Sequence, residues 1–230
     1  MKYDHTLLYE IRATFQVAGC PICGLAERTL RRYLSALTHE GVTDRQQRAV
    51  IRAAYGFCPS HARVLRESRN ALGSALIHRD LLSTLNKALA EEKPRAKPRL
   101  RILGRGEQPL PANGGCVACA QVREAEQRYS SAFGAALADP EALQQFQRSS
   151  GLCVPHLRLA LSHAEVAEYE LIRNSQSIIW GNLIAELDEF IRKQDHNFRH
   201  EPSGTEADSW KRAIDLVAGR VESVGTRRDE

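Results

Sequence analysis

Apolar residues recur every three or four positions along most of the chain, which is the spacing of one face of an α-helix. The two clearest runs of this kind are Leu7, Leu8, Ile11 and Phe15, and then Leu25, Leu30, Tyr33 and Leu37. No stretch shows the strict alternation of apolar and polar residues that is typical of a half-buried strand. The pattern therefore predicts an all-α protein.

In the first half of the chain, residues that favour helix starts and helix ends divide the apolar spacing into separate helices. Thr43 and Gln46 have the form of a capping box, which predicts a short helix that ends at Gly56. Pro59 suits a first helical turn, and leucines continue the helical spacing to about Ala90. We expect one helix across that interval.

The second half repeats this arrangement. Asp139 and Pro140 predict another helix start, and Gly151 predicts a break. A long helix is then expected from about 155 to 195. A final short helix is predicted from about 206 to 218, with Gly219 as its stop.

The six cysteines form two copies of one pattern, and they are the most informative residues in the chain. Each copy has a CxxC motif, a gap of 34 or 33 residues and then a CxxH motif. The positions are Cys20, Cys23, Cys58 and His61 in the first copy, and Cys116, Cys119, Cys153 and His156 in the second. Corresponding positions are 96 or 95 residues apart, which predicts an internal duplication.

Three cysteines and one histidine per copy are a usual ligand set for a structural zinc ion. A thiolate at a helix start is favoured by free backbone N–H groups and by the helix dipole. We therefore predict two zinc ions at closed Cys3His sites. An iron–sulfur cluster stays open as an alternative, because the spacing does not exclude it.

Other cysteine chemistries fit less well. Structural disulfides do not explain the histidine that recurs with each odd cysteine, and a thioredoxin-like redox pair needs a βαβ context. Covalent haem needs CxxCH, whereas Gly24 and Ala120 follow the second cysteine of each CxxC. Because an autonomous unit duplicates easily, we expect each CxxC to share its ion with the CxxH of its own copy.

The domain organisation follows from these copies and from one basic segment. We predict a first repeat at 1–92, a linker at 93–115, a second repeat with the long helix at 116–200, and a C-terminal helix and tail at 201–230. The linker is rich in turn-forming residues and carries six basic residues against one acidic residue. It is interpreted as a solvated connector, with a nucleic-acid-binding strap as the alternative.

Composition narrows the class of protein. A hydrophobic fraction of 43% is ordinary for a globular chain and excludes wholesale disorder. The net charge of +4 does not by itself indicate a nucleic-acid partner. No apolar run approaches a membrane span, and the N-terminus lacks the pattern of a signal peptide, so we expect a cytoplasmic protein that does not bind membranes.

A second candidate site lies near the end of the chain, where charged and aromatic residues crowd together. A polar helix end clasped by a final helix is one interpretation, and an anion-binding or partner-binding pocket is the other. The residues of this candidate site are Arg192, Asp195, His196, Arg199, Trp210 and Arg212.

The combined motifs resemble the bacterial DUF6062 family, which has no assigned function. The resemblance rests on the CPIC opening, GFCxxH, the second CxxC and GLCxPH, and it continues through Glu189–Asp195, Glu201–Pro202 and Asp208–Ile214. Two departures are Val117, where family members often have proline, and His196, where an aromatic residue is common. The resemblance implies the fold and the metal ligands, and it implies no activity.

Three function classes follow from these observations. The first is a zinc-stabilised, non-enzymatic helical scaffold that binds another protein, favoured because no nucleophile–base pair or phosphate-binding loop is visible. The second is an enzyme that uses a labile zinc site or the region of Asp195 and His196. The third is a nucleic-acid binder that uses the basic linker.

Overall fold

The computed structural model describes residues 3–68, 70–91 and 115–219, and these ranges contain ten α-helices and no strand. The all-α prediction is therefore confirmed. The helices are α1 His5–Ala13, α2 Pro21–His39, α3 Arg45–Ala53, α4 Pro59–Glu67, α5 Ala71–Glu91, α6 Val117–Ala136, α7 Pro140–Gln147, α8 Val154–His163, α9 Val166–Arg192 and α10 Ser209–Ala218. Short 3-10 helices lie at Gly41–Thr43 and Thr205–Asp208.

Several helix ends agree with the sequence, and one cap is shifted by a residue. Asp139 caps α7 through its side chain, and Gly219 follows α10 with a φ of 81°. The capping box predicted at Thr43 is wrong. Asp44 is the cap of α3, because its Oδ1 accepts the N–H groups of Gln46 and Gln47 at 2.7 and 3.3 Å.

Two helices predicted as continuous are each broken. The predicted helix from Pro59 to Ala90 is α4 and α5, and Asn70 Oδ1 accepts the N–H of Gly73 at the start of α5. The predicted helix from 155 to 195 is α8 and α9, because Ala164 is extended and Glu165 starts a new capping box with Glu168. These breaks are made by polar caps that do not interrupt the apolar spacing, so the spacing alone does not reveal them.

The chain divides into two compact units, with Met1–Arg28 and Arg123–Glu230 in the first and Thr29–Val122 in the second. Both dividing points lie inside long helices, α2 and α6. The basic segment 93–115 lies outside the described residues except for Gly115. Within the described ranges, no helix combines the length and the apolar character needed to cross a membrane.

The core of the first unit is built around three phenylalanines. Phe15, Phe133 and Phe146 pack with ring centroids 5.1–5.8 Å apart, and two of the three pairs are edge-to-face. Ile11 and Leu152 belong to the same buried cluster. Aromatic rings bury large areas, so these three side chains are the main anchors of the first unit.

The second unit has two smaller buried clusters made mainly of aliphatic residues, and the half-buried Tyr33 and Phe57 pack against both. One contains Leu34 and Leu65 together with Cys116, and the other contains Leu37 and Ile77. Because Cys116 is itself part of one cluster, the apolar core and the cysteine–histidine site of this unit are continuous.

Candidate metal centres

The start of a helix positions each pair of predicted ligands. Cys58 and Cys153 are the N-caps of α4 and α8, so His61 and His156 occupy the third position of those helices. Cys20 and Cys116 directly precede α2 and α6, which places the second cysteine of each CxxC at the same third position. All four pairs thus use one local geometry, in which two side chains point to the same end of a helix.

The first centre brings Cys20, Cys23, Cys153 and His156 together in the first unit. His156 Nδ1 lies 3.1, 3.3 and 3.6 Å from the sulfurs of Cys153, Cys23 and Cys20. The sulfurs of Cys23 and Cys153 are 3.8 Å apart. Cys153 and His156 are buried, whereas the CxxC pair is half-buried.

The second centre brings Cys58, His61, Cys116 and Cys119 together in the second unit. His61 Nδ1 lies 3.2, 3.3 and 3.4 Å from the sulfurs of Cys58, Cys119 and Cys116. The sulfurs of Cys58 and Cys119 are 3.7 Å apart. The two centres therefore have nearly the same internal distances.

The S···S distances match the edge of a tetrahedron around one ion, and the S···N distances equal that edge or are up to about 0.5 Å shorter. Typical Zn–S and Zn–N bonds give S···S edges of about 3.8 Å and S···N edges of about 3.6 Å. In each centre the four ligand atoms lie within 4.8 Å of one another. The S···S separations of 3.7–3.8 Å are far longer than a disulfide bond of about 2.05 Å, and all six cysteines are free thiols. Each cluster can hold one metal ion.

The expected pairing within each copy is wrong, because each CxxC meets the CxxH of the other copy. The reason lies in the two long helices that follow the CxxC motifs. The 19 residues of α2 extend about 28 Å, at about 1.5 Å per residue, and α6 has 20 residues. Each of these helices begins in one compact unit and ends in the other, so the CxxH that follows lies in a different unit from the CxxC of its own copy.

The thiols of the second centre influence one another's ionisation. Burial acts to raise the pKa of Cys116, but hydrogen bonds from the backbone of Cys58, Cys119 and Ala118 and with His61 lower it to about 7. Burial and the neighbouring sulfurs of Cys58 and Cys116 raise the pKa of Cys119 to about 12. Ionisation of one thiol thus disfavours ionisation of the next. A divalent cation would offset this effect, because it attracts every thiolate.

The first centre likewise favours positive charge. Burial acts to lower the pKa of His156, but hydrogen bonds with Cys153, Cys20, Cys23 and Glu126 raise it well above its usual value. The surroundings that stabilise a proton at this point also suit a metal cation.

Glu126 is a residue of this centre that the sequence reasoning missed. Its Oε1 lies 3.3 Å from His156 Nε2, on the side of the ring opposite the sulfurs. The predicted duplication offers a signal, because the position 96 residues earlier is Leu30. A charged residue in one copy and an apolar residue in the other mark a position where the two centres differ.

The second candidate site consists mainly of ion pairs between its arginines and nearby carboxylates. Arg192 pairs with Glu189 and Glu201, and Arg212 pairs with Glu186 and Asp208.

Among the other candidates, Asp195 contacts the adjacent His196 at 3.1 Å, and Trp210 is stacked under Lys211. Arg199 is exposed, and the backbone N–H of Arg199 donates to the carbonyl of Asp195. The contacts described here do not join the six candidates into one cluster, and anion or partner binding here stays a prediction.

Comparison with known proteins places these centres in one uncharacterised family. The sequence model of "Family of unknown function (DUF6062)" matches residues 8–224. A relative from Caldicellulosiruptor sp. (strain Rt8B.4), described as "Uncharacterized 23.9 kDa protein in xynA 3'region", is 28% identical over 209 residues. The match covers 89% of this chain and 97% of the relative. No solved structure matches the chain.

Proposed function

Since the chain belongs to DUF6062, a family of unknown function, we propose its role from its own two centres. The protein binds two zinc ions at closed Cys3His sites, and the ions stabilise a non-enzymatic helical scaffold that interacts with another protein. The observation that carries this proposal is the meeting of three cysteines and one histidine in each centre, with ligand atoms within 4.8 Å of one another and S···S distances of 3.7–3.8 Å. Four protein ligands leave no position for a substrate or a catalytic water.

The compactness of each centre favours a single zinc ion over an iron–sulfur cluster. A cluster distributes its cysteine ligands over two or more irons, whereas one ion holds all four ligands around a single point. The ligand atoms here lie within 4.8 Å of one another. Three thiolates and one imidazole are also a set that zinc accepts readily.

A structural role is supported by the helix starts that each ion would connect, because they are distant along the chain. In the first centre the start of α2 meets the start of α8, and the bridged cysteines Cys23 and Cys153 are 130 residues apart. In the second centre the start of α4 meets the start of α6, and Cys58 and Cys119 are 61 residues apart. Closing such long loops restricts the unfolded chain strongly, and zinc binding in small peptides contributes about 10 kcal/mol or more to folding.

Exposed apolar side chains on the last two helices support an interaction role. Ile184 and Ile191 of α9 are 57% and 64% exposed and lie seven residues apart, which places them on one face. Ile214 and Val217 of α10 are 57% and 66% exposed and also share a face. Apolar residues that recur on one surface are typical of protein–protein contacts.

Metal analysis of the protein purified without added metal tests this proposal. We expect two zinc ions per chain, and we expect Cys58→Ser and Cys153→Ser each to lose one. Ser162→Ala is the matched control, because Ser162 is an exposed hydroxyl near the first centre that bonds only to the carbonyl of Leu159 among its described contacts. The control should keep both ions.

Replacing zinc by Co²⁺ tests whether the sites are closed. The absorption spectrum should be that of a tetrahedral site with three sulfur ligands and one nitrogen ligand, and it should stay unchanged when imidazole is added. A spectrum that changes with imidazole would reveal an open position, would contradict the closed-site proposal and would favour the enzyme class.

The interaction part is tested with the zinc-loaded protein and its chelator-treated form as baits. We expect a protein partner to bind the loaded form and to be lost from the other. Equal capture by both forms would contradict a role that depends on the zinc-stabilised scaffold. Nucleic-acid binding through 93–115 is a separate prediction, and it would appear as an affinity that falls steeply with salt concentration.

A further inference from the structure

The imidazole ring of His156 has a different kind of partner on each nitrogen. Nδ1 faces the three sulfurs of the first centre at 3.1–3.6 Å. Nε2 lies 3.3 Å from Oε1 of Glu126, within hydrogen-bond distance. Because a metal ligand must offer a free lone pair, ligation through Nδ1 requires that the proton of the neutral ring be on Nε2.

A carboxylate at Nε2 stabilises that form of the ring. It accepts the Nε2–H, fixes the orientation of the imidazole and increases the electron density on Nδ1. We propose that Glu126 is the positioning residue of the first centre and sets its affinity for zinc through His156. This inference rests on the zinc binding proposed above and deepens it.

The helix around Glu126 holds its side chain in place. Ala125 and Tyr129, on either side of it in α6, are buried in the core of the first unit. The Glu126 side chain is 29% exposed, and its carboxylate contacts a ring that is 9% exposed. Both residues line one depression of about 510 Å³, together with Pro155, Arg158 and Gly219. The carboxylate therefore reaches the metal ligand from a fixed backbone.

The corresponding position of the other sequence copy holds a different kind of residue. Leu30 occupies the position 96 residues before Glu126 and is 1% exposed in an aliphatic cluster of the second unit. A leucine cannot accept a hydrogen bond from an imidazole. The two centres share their ligand set, and they differ in the group present at this repeat position.

Site-specific zinc removal tests the proposal in the full-length, zinc-loaded protein. A chelator is titrated while long-range ¹H–¹⁵N spectra follow the imidazoles of His156 and His61 separately. We expect Glu126→Leu to raise the apparent Kd of the first centre by about 10–100-fold and to leave the second centre unchanged. Glu126→Gln should have a smaller effect, because the amide oxygen still accepts the Nε2–H.

Glu124→Gln is the matched control, because Glu124 is an exposed glutamate on the same helix. It should leave both centres as in the wild type. Equal zinc affinity in Glu126→Leu, Glu124→Gln and the wild type would overturn the proposal while leaving zinc binding intact. Absence of zinc from the wild-type protein would instead overturn the proposed function itself.

The spectrum of the wild-type protein gives a readout that does not depend on any variant. Zinc-bound His156 should show a proton on Nε2 and none on Nδ1, and the Nε2–H resonance should shift in Glu126→Gln. A His156 that carries its proton on Nδ1 would overturn the proposal. A Nε2–H resonance that is identical in Glu126→Gln and in the wild type would overturn it as well.

Discussion

Gly73 shows how closely two helices of the second unit approach one another. A Cβ atom added at this residue would lie 2.1 Å from the carbonyl oxygen of Thr38, at the end of α2. The same oxygen accepts a hydrogen bond from Asn70 Nδ2 at 3.0 Å. The start of α5 therefore packs backbone against backbone, which only glycine permits here.

We expect Gly73→Ala and Gly181→Ala to change stability in opposite directions. At Gly73 the backbone must shift, so the free energy of unfolding should fall by about 2 kcal/mol or more. Gly181 is an exposed position in α9 where an added Cβ meets nothing within 4 Å. Alanine there should raise the free energy of unfolding by about 1 kcal/mol, because it favours the helix.

Urea denaturation of the zinc-loaded variants beside the wild type measures both effects. A shift of the same sign in the two variants would contradict the packing of Gly73 against Thr38.

At the scale of elements, the end of α9 is tied to the segment that leads into α10. Lys193 Nζ lies 2.8 Å from Glu206 Oε1 and donates to the carbonyl of Pro202 at 2.8 Å. The carboxylate of Glu206 also accepts the N–H of Gly204 at 2.9 and 3.0 Å. Lys193, together with the N–H groups of Gly204 and Glu206, lowers the pKa of Glu206 to about 2. These contacts fix the position where the final helix begins.

Replacing this carboxylate by an amide should loosen α10. We expect Glu206→Gln to speed hydrogen exchange across residues 209–218, because the charge-assisted contacts with Lys193 and Gly204 are weakened. Glu170→Gln is the matched control, since it removes an exposed pair with Arg173 on α9, and such pairs contribute little. Unchanged exchange in Glu206→Gln would contradict this role.

The effect should also depend on pH. The folded-state pKa of about 2 lies below the ordinary value of 4.5, so the stabilisation is complete above about 4.5 and is lost as the pH falls towards 2. The difference in exchange between Glu206→Gln and the wild type should therefore shrink below about pH 4.5.

At the scale of the whole molecule, ligands from the two sequence copies are exchanged between the centres. Each compact unit contains one complete ligand set, with one pair from each copy. The first unit contains the three packed phenylalanines, and the second has smaller clusters of buried aliphatic residues against which the half-buried Tyr33 and Phe57 pack. We expect the proposed metal to contribute a larger share of the stability of the second unit.

Double variants distinguish exchanged pairing from pairing within each copy. We expect Cys20→Ser with Cys153→Ser to lose one zinc ion, because both residues serve the same centre. Cys20→Ser with Cys58→Ser should lose both ions. Native mass spectrometry counts the bound zinc, and the opposite pattern would show pairing within each copy. The stability effects of the second pair should be nearly additive, and those of the first pair should not.

The local parts of this structure are predictable from the sequence because their physical causes are local. Helical spacing predicts the all-α fold, and residues such as Asp139 and Gly219 end or begin helices through contacts with their own neighbours. A single helix start brings together the two side chains of a CxxC or CxxH motif. Each ligand pair can therefore be recognised from the sequence. The breaks at Asn70 and Glu165 were missed because those caps interrupt no apolar pattern.

The partner of each ligand pair was decided by tertiary structure alone. Either CxxH forms the same Cys3His set with either CxxC, so ligand chemistry does not favour one pairing over the other. The choice follows from α2 and α6, because each begins in one compact unit and ends in the other, and the CxxH that follows therefore lies in a different unit from the CxxC of its own copy. The contact between Glu126 and His156 likewise joins residues 30 positions apart, and only the packing of α6 and α8 brings their side chains within 3.3 Å.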